Sequence, residues 1–132
     1  MEITTPYSFG RTVTSSFPDT VETVRTELAK EGFGILAEID VKRKFAEKLE
    51  KKFRDYLILG ACNPSMAFEA LSSEINLGAL LPCNVVVYTL DDGTTAVTVM
   101  DPVAALSLVG NPEMAPFANR VAEKMRRMLD AL

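Results

Sequence analysis

The sequence predicts an α+β fold: a single compact domain over residues 1–132, with a sheet of about five strands and helices packed on it, in the order β-α-β-α-β-α-β-β-α. Three observations carry this prediction. Alternating or unbroken apolar runs are interleaved with segments whose apolar residues recur every three to four positions. An Asp-Gly turn, Asp92-Gly93, separates two β-branched runs and marks a hairpin. No linker, low-complexity tract or internal repeat interrupts the chain. At 132 residues it is long enough to bury roughly two-thirds of its unfolded surface without a covalent staple.

Tyr7, Phe9, Arg11 and Val13 alternate with small polar residues and predict a half-buried first strand. Ser16 then stands as a helix N-cap ahead of Pro18 and Asp19, and Val21, Val24 and Leu28 share one helical face. Gly32 suits the left-handed residue that ends such a helix. Residues 33–39 read as a second strand, and Asp40 as the cap of a helix on which Phe45, Leu49 and Phe53 recur every four residues. The nearly continuous apolar run 55–62 predicts a strand covered on both faces. Asn63-Pro64 combines a cap with proline at the first helical position, opening a short helix that turns Ala67, Ala70 and Leu71 inward. The hairpin runs from Cys83 to Met100; Asp101-Pro102 starts a short helical piece. A final helix carries Phe117, Val121, Met125, Met128 and Leu132 on one stripe.

Composition excludes several functions. The net charge is −4, and the basic stretch Lys42–Lys52 is broken by Glu47 and Glu50, so no nucleic-acid partner is expected. No run of 18 apolar residues predicts a membrane span, and the first residues lack the basic and apolar regions of a signal peptide, which predicts a cytoplasmic protein. Its two cysteines are then expected to be free thiols. With no histidine, imidazole-based nucleophilic catalysis and histidine-ligated metals are excluded. Two cysteines per chain are too few for a four-thiolate zinc or iron–sulfur site.

Both cysteines are followed by asparagine at the edge of an apolar run: Cys62-Asn63 and Cys83-Asn84. The plain reading makes the thiols core residues, because cysteine buries readily. The functional reading starts from Cys62, which ends a strand just before a helix N-terminus, where the dipole and free N–H groups favour a reactive thiolate. Whether Cys83 joins it depends on strand direction. Parallel strands linked by a crossover put the two at opposite sheet edges; antiparallel neighbours, with residues 75–81 carrying the chain back, put them side by side. Met66 and Met100 would then add thioethers to a Cu(I) or other soft-metal site, against their usual role as core filler. Asn63 reads first as a cap; Asn84 is open between a backbone contact and a ligand contact. Glu38, Asp40 and Asp101 form a second candidate, an acidic rim at strand ends, although Asp40 and Asp101 also read as caps.

Four segments carry a family resemblance: EGFGILAEIDV (31–41), LGACNP (59–64), LLPCNVVVY (80–88) and MDP (100–102), together with the C-terminal amphipathic helix. They resemble the bacterial and archaeal family named domain of unknown function 302. The resemblance spans nearly the whole chain and implies a small soluble α/β domain, a homodimer, and no established activity.

The leading expectation is a small cytoplasmic binding protein, homodimeric and not an enzyme, in which Cys62, with Cys83, binds a soft metal ion or small ligand or carries sulfur or redox equivalents. The alternative is a structural or regulatory dimer module without chemistry, its interface formed by the C-terminal stripe and residues 78–82. A third reading, a hydrolase or isomerase using Glu38, Asp40 or Asp101, requires those acids to line a pocket.

Overall fold

Phe9, Leu59, Val85, Val87, Val97 and Val99 are all buried and project from one side of a six-stranded antiparallel sheet in the computed structural model, which describes residues 1–132. The elements are β1 (Glu2–Thr4), β2 (Ser8–Val13), α1 (Phe17–Lys30), β3 (Gly34–Asp40), α2 (Val41–Leu49), β4 (Tyr56–Cys62), α3 (Pro64–Ser73), a 3-10 segment Ile75–Leu80, β5 (Cys83–Thr89), β6 (Thr95–Met100), α4 (Pro102–Leu106), a 3-10 turn Ser107–Val109 and α5 (Met114–Asp130). The sheet order is β1-β2-β6-β5-β4-β3, with every neighbouring pair antiparallel. Val24 and Leu28 of α1 and Val121, Met125 and Met128 of α5 close the core over the sheet. A fully buried side chain of this size contributes about 1.5–3 kcal/mol.

The predicted α+β class holds, with six strands rather than five. The extra one, β1, is only three residues long, too short for alternation to mark it; it forms by pairing Ile3 with Gly10. The caps follow side-chain chemistry. Ser16 Oγ accepts from Asp19 N–H at 3.2 Å, Asp40 Oδ1 from Arg43 N–H at 3.0 Å, and Asp101 Oδ1 from Val103 N–H at 2.9 Å. In the hairpin, Asp92 Oδ1 accepts from the Thr94 N–H and hydroxyl while Gly93 takes φ +86°.

Two expectations change and a third is refined. The helix expected to reach Phe53 ends at Leu49, because Glu50 turns left-handed at φ +52°. The Phe45–Phe53 contact survives as an edge-on pair of rings 5.1 Å apart, made across the bend. Strand β4 is covered on both faces but unequally: Leu59 and Ala61 are buried on the core side, and on the other Gly60 is buried under Pro82 while Tyr56, beside Phe53, and Ile58 are half-buried. The C-terminal stripe does not form a subunit surface, since Phe117, Val121, Met125 and Met128 are consumed by the monomer's own core.

Gly10 is set by close approach. A Cβ there would lie 2.1 Å from the Val97 carbonyl oxygen and 2.7 Å from Thr98 Cα, so β2 and β6 have room for hydrogen alone.

Candidate functional site

The β4–β5 register decides the cysteine question. These strands are antiparallel, with Ala61 opposite Cys83 and Gly60 opposite Asn84, and the 3-10 segment 75–80 carries the chain back between them. Cys62 and Cys83 therefore stand one position apart across neighbouring strands. By strand alternation Cys83 shares the core face with Ala61, and Cys62 starts from the other face. Strand β4 ends at Cys62, however, and at this end of the sheet a cleft of about 290 Å³ is bordered by both residues.

The cleft is largely apolar. Phe33 and Ala61 form its floor, Met66 and Leu71 of α3 one wall, and Phe117 and Val121 of α5 another. Leu36, which a β-bulge in β3 leaves 70% exposed, stands at the rim with Leu81 and Pro82. Asn63 is the one carboxamide bordering it. Its Oδ1 accepts from Met66 N–H at 3.3 Å, so the capping reading is correct. Its Nδ2 packs over Gly32, where a Cβ would come within 2.9 Å, and Gly32 holds φ +85°. The Gly-Phe-Gly and Cys-Asn-Pro segments are thereby locked together, with Gly34 pairing Cys62 in the sheet.

The two thiols differ. Cys83 is buried, and burial first, then the neighbouring Cys62, pushes its pKa up to about 11, so it stays a thiol at neutral pH. Cys62 is half-buried and neither is in a disulfide. Met66 lies at the cleft with its side chain 9% exposed, within the same apolar lining.

Two predicted members fall elsewhere. Asn84 is exposed on the sheet face opposite the core, because alternation turns it away from Cys83. Met100 sits on that face too, bordering a shallow depression with Asn84, Val86 and Tyr88. Neither borders the cleft that holds the thiols. The acidic rim assembles only in part: Glu38 and Asp40 border one depression of about 380 Å³ with Arg25 and Asp55, and Asp101 lies elsewhere. Asp40 shares a row with Leu57, Val87 and Val97, whereas Asp101 lies four residues beyond Val97 and three strands away. Steps of about 4.8 Å between strands and about 3.4 Å along them put the two roughly 20 Å apart. Glu38 is paired with Arg25 of α1, and Asp40 and Asp101 spend their carboxylates on caps. No three acids or thiols gather where a metal ion would bind them.

Sequence reasoning passed over Phe33, Pro82, Phe117 and Val121 as cleft residues. Pro82 left one sign, its place directly before Cys83; it packs over Gly60, where a Cβ would be 2.8 Å from its ring. Phe117 and Val121 read only as helix stripe, since which end of a core stays open is a tertiary property.

An antiparallel sheet with its core helices on one face and a thiol-bordered apolar cleft at one end defines a small α+β domain with a preformed cleft of mixed sulfur and hydrocarbon. The family model described as "Domain of unknown function DUF302" matches residues 9–132, and the chain belongs to that family. It is similar to a solved structure, an uncharacterized conserved DUF302 protein from Bacillus stearothermophilus, with a TM-score of 0.89 and 28% identity over 95% of this chain and 97% of that one. Among curated proteins nothing matches. No helix is long and apolar enough to cross a membrane.

Proposed function

We propose that this protein is a small cytoplasmic binding protein, not an enzyme, that takes a soft ligand at the cleft between β4, α3 and α5. The observation that carries the reading is the convergence of Cys62, Cys83 and Met66 on one largely apolar cleft. Two thiols and a thioether in a hydrocarbon setting suit Cu(I) or another soft centre, while hard ions prefer the oxygen ligands this cleft lacks. Binding at Cys83 must displace its proton, so affinity for a cation rises with pH. Anaerobic titration with Cu(I) against a competing chelator tests this. Wild type should bind, Cys62→Ala and Cys83→Ala should each weaken binding by tenfold or more, on the order of the loss of one ligand, and Met66→Leu should weaken it less. Affinity unchanged from wild type in both cysteine variants, or no uptake by wild type, would sink the metal reading.

A second reading rests on a different surface. The sheet face opposite the core carries Tyr56 stacked on Tyr88 with centroids 5.5 Å apart, beside Val86, Met100 and the 45% exposed Ile39. An apolar sheet face of this kind suits a second copy of the chain, as in a homodimeric module. Light scattering should give a dimer for wild type and a folded monomer for Val86→Asp; a monomeric wild type would dismiss this face.

A further inference from the structure

We propose that Cys62 alone is the covalent acceptor of the cleft: it takes the apolar arm of a small organic disulfide by thiol–disulfide exchange and holds it as a mixed disulfide that Cys83 does not resolve. This rests on the cleft reading above and goes beyond it in naming the ligand class and dividing the two thiols by role.

Three features carry it. The first is access: Cys62 is half-buried at the cleft, whereas Cys83 keeps only 9% of its surface exposed. The second is register. Cys83 stands opposite Ala61, not Cys62, so the two thiols are offset by one rung at the end of β4, where both border the cleft. Their Cα atoms, one step along and one strand across, lie about 6 Å apart, so what holds Cys83 back from Cys62 is its burial against hydrocarbon rather than separation. The third is room. An apolar cavity of about 150 Å³ holds a benzene molecule, and this cleft of about 290 Å³ has space for a ring-sized arm between Phe33, Met66, Leu71 and Phe117. The lining supplies no charge to favour an anionic arm.

The chemistry balances without an added oxidant. The Cys62 thiolate attacks one sulfur of R–S–S–R, a new bond from Cys62 Sγ to that sulfur forms, and the original S–S bond breaks. The second R–S⁻ leaves and takes a proton from solvent; the protein sulfur is oxidised as the leaving sulfur is reduced. Resolution would require Cys83 to ionise and attack Cys62 Sγ. The raised Cys83 pKa reduces its thiolate by about a hundredfold relative to an ordinary thiol, and its buried sulfur has little room to reach the new disulfide.

The test uses 4,4′-dipyridyl disulfide as the apolar probe and dianionic 5,5′-dithiobis(2-nitrobenzoate) as the charged one, on the reduced full chain at about pH 7.5. Released thiol is followed by absorbance and the adduct by peptide mass mapping. The expected result is one pyridylthio group on Cys62, one thiol released, and an adduct that persists equally in wild type and Cys83→Ala. In Cys62→Ala the remaining thiol should label about a hundredfold more slowly than a cysteine peptide. Normalised to that peptide, the apolar probe should react with Cys62 faster than the charged one. Release of a second thiol with formation of a Cys62–Cys83 disulfide would overturn the proposal, as would labelling of Cys83 first, no labelling, or no preference between probes. Cu(I) titration of the same preparations separates the two readings. Uptake that depends on both thiols, without a Cys62 adduct, refutes the covalent role and leaves the cleft as a soft-ligand site; loss of both removes the site itself.

Discussion

Replacing Cys83 by alanine should change how stability depends on pH. Burial favours the neutral thiol of Cys83 and raises its pKa from 9.0 to about 11. In the unfolded chain the thiol ionises near 9, so above that pH the unfolded state binds fewer protons than the folded one, and stability falls as pH rises. The contribution is fully present below about pH 9 and is lost progressively up to about pH 11. Two pH units at about 1.36 kcal/mol each make the loss about 3 kcal/mol. Urea denaturation of wild type and Cys83→Ala at intervals from about pH 7 to 11 reads it directly. The alanine costs a fixed increment at every pH for the sulfur it removes. Tyr56, whose pKa is raised by burial and then by Tyr88 and Tyr7, is present in both proteins and cancels in the comparison. The difference between the two curves therefore isolates Cys83: the wild type should lose its advantage over the variant, or fall below it, as pH passes 9 to 11. Parallel curves across that range would refute the assignment of Cys83 as a desolvated thiol, and with it the division of roles between the two cysteines.

Gly10→Ala should destabilise the protein by about 3 kcal/mol or more, because the added methyl meets backbone of β6 rather than a yielding side chain; an unchanged melting temperature would show that β2 can shift. Met125→Ala should cost about 2–5 kcal/mol by leaving a cavity in the α5 core, with no change in the oligomeric state measured by light scattering; dissociation of a still-folded subunit would return α5 to the interface. Asn63→Ala should cost about 1 kcal/mol for the lost cap of α3, read by chemical denaturation; a neutral result would mean that the contact with Gly32 and the bond to Met66 contribute nothing net.

The parts of this molecule legible in the sequence are those fixed by neighbouring residues. Ser16, Asp40, Asn63 and Asp101 cap helices because an oxygen one or two bonds from Cβ reaches an N–H two or three residues on, and the Asp92-Gly93 turn closes its hairpin for a similarly local reason. What depended on the sheet as a whole was not legible. Strand β1 exists only because Gly10 and its neighbours offer an edge. Met100 and Asn84 were plausible partners of the thiols in one dimension, and the pleat turned both to the other face. The acids Glu38, Asp40 and Asp101 failed as a group because strand order, which local patterns do not encode, set β3 and β6 three places apart. The C-terminal stripe was misplaced for a related reason: an amphipathic stripe announces that it will be buried but not against what, and here the covering surface was the protein's own sheet.

The meeting of the cysteines depends on the return path between β4 and β5. A helix of ten residues followed by a 3-10 segment of six is enough to bring the chain back to the end of β4 where it left, and the next strand must then run antiparallel. That path sets Pro82 over Gly60 and leaves Cys83 opposite Ala61, so the two Cys-Asn dipeptides are offset by one rung. The offset has a chemical consequence. Thiols one rung apart at a strand end share a cleft but not an environment: Cys83 is buried against hydrocarbon and Cys62 is half-buried. A cleft built this way can present one accessible sulfur and hold a second in reserve against hydrocarbon, where only a ligand that displaces its proton, such as a soft metal ion, would engage both. A one-residue slip of β5 against β4 would put Cys83 opposite Cys62 but would also turn Val85 and Val87 out of the core, so the hydrophobic pattern itself enforces the separation.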